Sequence, residues 1–287
     1  MLVLFNGQPS LLTVGIPWFL RSLFKNEMGA EQSNETYMST WSDESGDQYW
    51  ADFESKPFSS GAFRHAFKGH LHGRGPRGGD QCVVKVFKRE YAKHITDWTV
   101  DVATSKKAQS LATKFNEAVP STRSLKFMTP MVAKMEKRAG FKLLWIFDIP
   151  DEDSAKIVFP NEYVCMEPFL TGTYQKFNAN NGWVNPNMNV SLIPAFSHWT
   201  WAHSGGKYLV CDIQGVRDDD EYLLTDPAIH SDEAGTYGNA DLGPEGMEAF
   251  FSTHKCTEFC KNLHKPRNIR RPRRIRPSPG TTYGFTL

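Results

Sequence analysis

Three side chains that commonly bind metals lie close together near the carboxyl end of the chain: His254, Cys256 and Cys260. A zinc site needs about four nitrogen or sulfur ligands in a tetrahedron, so this cluster supplies all but one of them. Cys256 and Cys260 are four residues apart, and a helix would place both thiolates on one face. The remaining ligand must come from elsewhere, and His198 and His203 are the candidates. The spacing favours a metal site over two core cysteines and a surface histidine.

Two carboxylates and a carboxamide indicate a second site, upstream of this cluster. The short apolar segment 207–211 predicts a strand that ends directly before Asp212, and Gln214 follows two residues later on the same side. A second carboxylate, Asp226, follows a charged segment. Mg²⁺ prefers hard oxygen ligands of this kind and shares them with phosphate groups. The pattern therefore predicts a site for Mg²⁺ beside a phosphate.

One lysine, Lys85, lies inside the otherwise apolar segment 83–87. A lysine in such a strand is expensive to bury without an anion beside it. The segment follows a predicted hairpin turn at residues 61–64. A hairpin, a strand lysine and then metal-binding carboxylates is the order of parts in kinase-type phosphoryl transfer. The alternative is that Lys85 is an ordinary exposed strand residue.

The chain resembles the α-kinases, the atypical protein Ser/Thr kinases, from about residue 50 to about residue 263. Seven short segments carry the resemblance, and their occurrence together in the family's order argues against a chance match. They are residues 58–64, 84–85, 167–169, 196–200, 212–216 and 225–227 and the set His254, Cys256 and Cys260.

The resemblance implies roles for residues around a nucleotide. Lys85 would hold the α- and β-phosphates of ATP, Arg64 would contact phosphate, and Lys176 would lie near the phosphates. Glu167 would be the hinge residue beside the adenine. Asp212 would be the catalytic aspartate, which orients or deprotonates the substrate hydroxyl.

The resemblance also implies two kinds of metal ligand. Gln214 and Asp226 would be the Mg²⁺-binding pair. His198, rather than His203, would be the fourth zinc ligand beside His254, Cys256 and Cys260. The expected cofactors are therefore ATP, Mg²⁺ and Zn²⁺, and the expected partner is a protein substrate with a Ser or Thr acceptor.

The Gly-rich segment 238–243 departs from the family's pattern, because Asp241 stands where asparagine is common. A carboxylate cannot donate a hydrogen bond as an amide does. The resemblance therefore does not carry a phosphate or substrate contact over to this position. The alternative to an active enzyme is a pseudokinase, a nucleotide-binding scaffold that has lost a metal ligand or the phosphate lysine. The full set of such residues favours an active serine/threonine kinase; it comprises Lys85, Asp212, Gln214 and Asp226.

A length of 287 residues leaves room for one two-lobed domain or two small ones. The resemblance implies an α+β, kinase-like fold with a β-rich N-lobe at about 50–165 and a mostly helical, zinc-containing C-lobe at about 168–263. Residues 1–49 are interpreted as a flexible leader and residues 264–287 as a basic, proline-rich tail. Hydrophobic patterning predicts a helix at 102–118. It predicts strands at 58–72 (broken by a turn), 81–88, 124–134, 141–148 and 161–167.

Charge and cysteine content restrict the partners and the compartment. Lys and Arg total 33 against 32 Asp and Glu, so no global charge attracts nucleic acid, and no nucleic-acid binding is expected. The longest apolar runs fall short of the roughly 20 residues of a membrane span, so no membrane association is expected. Five cysteines without disulfide-like spacing indicate a reducing, cytoplasmic location. The basic tail offers two further roles, contact with an acidic partner and nuclear targeting.

Overall fold

The computed structural model describes residues 41–42, 46–54, 57–61, 63–88, 95–135, 142–143, 147–148, 161–186 and 191–267. All of these residues lie in one compact unit, Asn34–Leu287. Most of the predicted leader, and the basic tail from Asn268 onwards, lie outside the described residues.

The described residues form strands and helices in an irregular alternation. Up to residue 168 the elements are β1 (Trp41–Ser42), β2 (Gln48–Phe53), β3 (Ser59–Ser60), β4 (Arg64–Gly73), β5 (Gln81–Phe87), α1 (Ile95–Ala118), β6 (Ser124–Phe127), β7 (Met131–Lys134), β8 (Lys142–Leu143), β9 (Phe147–Asp148) and β10 (Tyr163–Pro168). From residue 175 onwards, in the second lobe, they are β11 (Gln175–Lys176), α2 (Leu192–His203), β12 (Tyr208–Cys211), β13 (Gln214–Arg217), β14 (Glu221–Thr225), β15 (Ala228–Ser231) and α3 (Gly243–Thr253).

A seven-stranded sheet forms the first lobe, with the strand order β1-β2-β4-β5-β10-β7 and β3 paired to β4. All of its strand pairs are antiparallel. In β2, Tyr49, Ala51 and Phe53 are buried and the residues between them are exposed or half-buried. Such alternation is expected of a strand with one covered face. The predicted strands at 58–72, 81–88 and 161–167 are confirmed.

Ordered structure begins before residue 50, the expected end of the leader. Trp41 pairs with Tyr49 across β1 and β2, and Ser42 pairs with Gln48. The Tyr49 side chain is fully buried in the core of the sheet. These strands form by pairing with their neighbours, β1 with β2 and β2 with β4.

Helix α1 confirms the predicted helix and begins seven residues earlier. Its buried side chains recur at helical spacing, and Phe115 contacts the rings of Phe196 and Trp199 in α2 edge-on, with centroids 5.3 and 5.5 Å away. This end of α1 and β6 share a hydrophobic core with β12, β14 and β15. The range predicted for the N-lobe therefore contains elements that pack with the second lobe.

The expectation of a mostly helical C-lobe is wrong. The second lobe has two helices, α2 and α3, and five short strands. One sheet has the order β11-β13-β14-β6, with β14 and β6 parallel, and β12 pairs with β15. Strands of two to five residues are too short for periodicity to distinguish them from helix or loop. Within the described residues, no helix is long and apolar enough to cross a membrane.

Two other strand predictions need correction in detail. The predicted strand at 124–134 is divided into β6 and β7, which belong to different sheets. The predicted strand at 141–148 is a short antiparallel pair, β8 and β9.

Candidate active site

A cleft with a volume of about 880 Å³ is lined by residues from the first and the second lobe. Strands β4 and β5 and the segment after β10 contribute one wall, and the segments around Asp212 and Asp226 contribute the other. All seven residues predicted to contact nucleotide, Mg²⁺ or the acceptor hydroxyl line it: Arg64, Lys85, Glu167, Lys176, Asp212, Gln214 and Asp226.

The ammonium of Lys85 makes three hydrogen bonds to side chains of the cleft. Alternation along β5 turns Val84 into the core of the sheet and Lys85 away from it. Its ammonium donates hydrogen bonds to Glu167 Oε2 at 2.6 Å, to Asp226 Oδ2 at 2.7 Å and to Thr225 Oγ1 at 3.0 Å. The lysine is buried beside two carboxylates, so of the two alternatives that the sequence left open, the ordinary exposed strand residue is excluded.

The charges of this network depend on one another. Burial by itself would lower the pKa of Lys85, but the carboxylates of Asp226 and Glu167 raise it overall. Burial raises the pKa of Glu167, and Lys85 opposes that effect. Thr225 donates its hydroxyl to Glu167 Oε2. It lies in the segment 225–227, which carries part of the resemblance, but no role was predicted for it.

Arg64 contacts the same network from the other side. Its Nη1 lies 3.2 Å from Asp226 Oδ1 and 2.9 Å from Asp101 Oδ2, and its guanidinium lies over the ring of Phe87. Burial would raise the pKa of Asp226, but Lys85 and Arg64 lower it to about 2. Asp226 is therefore an ionised carboxylate held between two cations. Asp101, on α1, was not predicted, because nothing in the sequence pairs it with Arg64.

Asp212 lies at the junction of two strands from different sheets. It follows β12 and precedes β13, and it is buried with a left-handed backbone, φ 56°. The ammonium of Lys176 lies 2.6 Å from Asp212 Oδ1. The pairing of β11 with β13 places Lys176 directly opposite Gln214, so the lysine reaches the carboxylate from the neighbouring strand.

Gln214 and Asp226 are neighbours, as the predicted metal-binding pair requires. Gln214 pairs with Thr225 between β13 and β14. The side-chain amide of Gln214 points to the main-chain carbonyl of Asp226 at 3.5 Å. A carboxylate and an amide oxygen at one end of the cleft form a donor set of the type that suits Mg²⁺.

The predicted zinc ligands His198, His254, Cys256 and Cys260 come together in a second cluster, with their ligand atoms all within 4.8 Å of one another. His198 Nδ1 lies 3.7 Å from Cys256 Sγ, and His254 Nε2 lies 3.6 Å from Cys260 Sγ. Nitrogen and sulfur ligands of one tetrahedral zinc ion are about 3.5 Å apart, given metal bonds of about 2.0–2.3 Å. The geometry therefore fits zinc.

The protonation and orientation of the histidines agree with this fit. Burial lowers the pKa of His198, and it lowers that of His254 to about 3, so both rings are neutral, as metal ligands must be. His198 Nε2 donates to the carbonyl of His264 at 2.8 Å, which turns Nδ1 towards the cluster. His203 is not part of the cluster; it stacks on Trp199 with ring centroids 4.2 Å apart.

The expectation that a helix carries both cysteines is wrong. The apolar segment before them is helix α3, but α3 ends at Thr253 and the chain is extended at His254. A turn follows, in which the amide of Cys260 donates to the carbonyl of Thr257 at 3.1 Å. The turn, rather than a helix face, brings the two thiols together.

Asp241 has a structural role that the sequence analysis did not anticipate. It is fully buried and is not among the residues that line the cleft. Its two oxygens accept hydrogen bonds from Ser231 N and Oγ, Tyr237 N and Gly243 N at 2.6–3.1 Å. All four partners donate, so a carboxylate suits this position, and the loop between β15 and α3 is closed on it.

Comparison with known proteins gives consistent matches over this region. The model of the Alpha-kinase family matches residues 59–260. The alpha-protein kinase vwkA of Dictyostelium discoideum is 35% identical over 212 residues, which are 72% of this chain and 30% of that protein. Human eukaryotic elongation factor 2 kinase is 29% identical over 226 residues, 75% of this chain and 27% of that protein. The chain thus matches less than a third of the length of each of these relatives.

Solved structures show the same fold. An alpha kinase from Entamoeba histolytica has a TM-score of 0.60 at 28% identity, covering 80% of this chain and 84% of that chain. The alpha-kinase domain of myosin-II heavy chain kinase A in complex with AMP-PNP has a TM-score of 0.58 at 26% identity, covering 75% of this chain and 87% of that chain.

Proposed function

The chain belongs to the alpha-kinase family, and we propose that it transfers the γ-phosphate of ATP to a serine or threonine hydroxyl of a protein. One observation carries this proposal: Lys85, Asp212, Gln214 and Asp226 converge on a single cleft. Kinases do little covalent chemistry themselves, and their catalysis is largely positioning and neutralisation of charge. This set of side chains supplies both.

The cationic residues of the cleft would bind the nucleotide. Lys85 and Arg64 already contact carboxylates, and Lys176 lies beside Asp212. Phosphate oxygens are anions of the same kind, so these three cations would hold the phosphates of ATP. Glu167, at the end of β10, would lie beside the adenine. AMP-PNP, present in the structure of the myosin-II heavy chain kinase A domain, is an ATP analogue and supports this assignment.

Asp212 would orient the acceptor hydroxyl and accept its proton. Its carboxylate is buried at the cleft, and the ammonium of Lys176 stabilises its charge. A positioned carboxylate of this kind contributes by aligning the nucleophile with the phosphorus atom.

Gln214 and Asp226 would hold Mg²⁺. Bound there, the ion supplies positive charge against the phosphate oxygens. Both oxygens of the Asp226 carboxylate contact cations, Lys85 and Arg64, so this carboxylate is ionised, as a Mg²⁺ ligand must be.

Zn²⁺ would be structural. His198, His254, Cys256 and Cys260 form a closed set of four ligands, which leaves no position for a substrate. The ion would join α2 to the segment after α3.

The pseudokinase alternative is not favoured. It requires loss of a phosphate or metal ligand, whereas Lys85, Gln214 and Asp226 are all present in the cleft. The cytoplasmic location, the absence of nucleic-acid and membrane partners, and an acidic partner or nuclear role for the basic tail are further proposals that rest on sequence composition.

In vitro phosphorylation tests the function directly. The 287-residue chain is incubated with radiolabelled Mg-ATP and a mixture of peptides with Ser, Thr or Tyr acceptors, followed by phosphoamino-acid analysis. We expect phosphoserine or phosphothreonine. Mainly phosphotyrosine contradicts the residue preference, and ATP binding without any transfer supports the pseudokinase.

A further inference from the structure

The backbone of Asp212 has a conformation that needs support. Its φ of 56° is left-handed, which is uncommon for residues other than glycine, although aspartate adopts it more readily than most. Non-glycine residues in this region persist when the surrounding structure holds them there, and they cluster at functional sites. The contacts of the next residue, Ile213, therefore decide where the Asp212 carboxylate points.

The side chain of Asn178 makes the main contact with the backbone of Ile213. Its Oδ1 accepts the backbone N–H of Ile213 at 2.8 Å. The carbonyl of Ile213 in turn accepts the N–H groups of Phe177 and Asn178 at 2.9 and 3.4 Å. Both polar groups of the Ile213 backbone are thus bonded to residues 177–178.

Asn178 is itself held rigidly. It is 1% exposed, and its Nδ2 donates to Ser197 Oγ at 3.1 Å. Ser197 is buried in α2 and directly precedes His198, one of the four clustered metal-ligand residues. A chain of contacts therefore runs from α2 through the Asn178 amide to the backbone beside Asp212.

We propose that Asn178 is a positioning residue for Asp212, acting through the backbone N–H of Ile213 and anchored by Ser197. This inference rests on the proposed kinase function. Lys176 contacts the Asp212 carboxylate directly, and Asn178, two residues later, fixes the backbone that carries it. One short segment thus controls both the charge and the direction of the catalytic carboxylate.

The test compares three variants of the full chain. Asn178→Leu removes both amide contacts and keeps the number and branching of the side-chain heavy atoms. Asn178→Asp keeps an oxygen for the Ile213 N–H, and the Ser197 hydroxyl can turn to donate to the second carboxylate oxygen. Asn116→Leu is the matched control, because Asn116 also bonds a backbone, the N–H and C=O of Leu125, away from the cleft.

Phosphotransfer kinetics, equilibrium binding of Mg-ATP and hydrogen exchange of the Ile213 amide are measured for each protein. Because displacement of a reacting group by about 1 Å can lower a rate about 100-fold, we expect Asn178→Leu to reduce kcat by roughly 10- to 100-fold. Its Kd for Mg-ATP should stay within about threefold of the wild type, since the phosphate-binding cations remain in place. The Ile213 amide should exchange faster, and Asn178→Asp should recover most of the lost kcat.

Several results would overturn the assignment. They are a wild-type kcat in Asn178→Leu, unchanged exchange at Ile213, or a parallel loss of kcat and ATP affinity that Asn116→Leu reproduces. If the wild-type chain itself shows no phosphotransfer, the result overturns the proposed kinase function and not the role of Asn178. The exchange of the Ile213 amide then decides independently whether Asn178 fixes this loop.

Discussion

At the scale of single residues, the cleft concentrates charges that a fold alone would not require. Lys85 and Arg64 lie among the carboxylates of Glu167, Asp226 and Asp101. Buried ion pairs are often no more stabilising than apolar residues of the same volume, because desolvation offsets their attraction. Their presence is better explained by ligands than by stability: the cations suit phosphates, and the carboxylates suit a metal ion.

Asp212→Ala should separate catalysis from binding. We expect phosphotransfer to fall by about 100-fold or more, since the variant loses the group that orients the acceptor hydroxyl. ATP binding should persist, because Lys85, Arg64 and Glu167, three of the residues proposed to hold the nucleotide, remain in the variant. Kinetics and equilibrium nucleotide binding measure the two effects, and Asp219→Ala, an exposed carboxylate, is the control. Wild-type transfer by Asp212→Ala would refute the role of this residue.

At the scale of elements, helix α3 packs unusually closely on strand β15. A Cβ atom at Gly246 in α3 would lie 2.4 Å from the ring of His230 in β15. The ring cannot move aside easily, since Leu242 N donates to its Nδ1 and its Nε2 donates to the Asn180 carbonyl. The helix and the strand therefore pack so closely at Gly246 that no side chain fits between them.

Gly246→Ala should lower stability, against the usual helix preference. Replacing a helical glycine by alanine ordinarily gains about 1 kcal/mol. Here the added methyl group collides with a hydrogen-bonded imidazole, and overpacking of this kind costs about 1–3 kcal/mol. Thermal unfolding should therefore show a lower Tm than that of the wild type, and Glu248→Ala in the same helix should stay near it. A higher Tm for Gly246→Ala would show that the contact is not as close as described.

Because of His230, the stability of the folded protein should decrease at mildly acidic pH. Burial lowers its pKa from 6.5 to about 4, and its hydrogen bonds fix the neutral form. In the unfolded chain the ring takes up a proton below about pH 6.5, whereas in the folded chain it does so only near pH 4. Stability should thus be complete above pH 6.5 and fall by about 3 kcal/mol as the pH decreases to 4.

Comparison with His230→Gln isolates this contribution from that of the other buried histidines. Denaturant unfolding at a series of pH values should give a shallower decline for the variant between pH 6.5 and 4. Parallel pH profiles of the two proteins would contradict the prediction.

At the scale of the whole molecule, the cluster of predicted zinc ligands joins parts of the chain that are far apart in sequence. His198 lies in the middle of α2, and the other three residues follow α3. Both helices cover the strands around Asp212, so zinc bound by the cluster would stabilise the lobe that carries Asp212. A closed structural zinc site contributes folding free energy directly.

Purified protein should contain about one equivalent of zinc. Cys260→Ala should lose the metal and unfold or precipitate, since apparent binding free energies of structural zinc reach about 10 kcal/mol or more. Cys82→Ala, a buried cysteine in the other lobe, should keep the zinc. Metal analysis and far-UV circular dichroism measure these outcomes. Folded, active protein with less than half an equivalent of zinc would reject the site.

The side-chain types in the sequence already singled out several of the residues that line the cleft or form the histidine and cysteine cluster. Lys85 stood out because a charged residue interrupts an apolar strand, and Asp212 with Gln214 because they follow one. His254, Cys256 and Cys260 stood out by spacing alone. These are local signals, since the chemistry belongs to the residue and its immediate neighbours.

Tertiary structure decided what local patterns could not contain. The strand content of the second lobe depends on pairings such as β14 with β6, which join residues about a hundred positions apart. The left-handed backbone of Asp212, and the amide of Asn178 that supports it, are set by a contact between β12–β13 and the segment after β11. Asp241 is an acceptor for four donors only once its loop has closed. In the first two cases the partners are distant in sequence, and in the third the partners are near in sequence but meet Asp241 only in the folded loop, so side-chain type and spacing do not carry the signal.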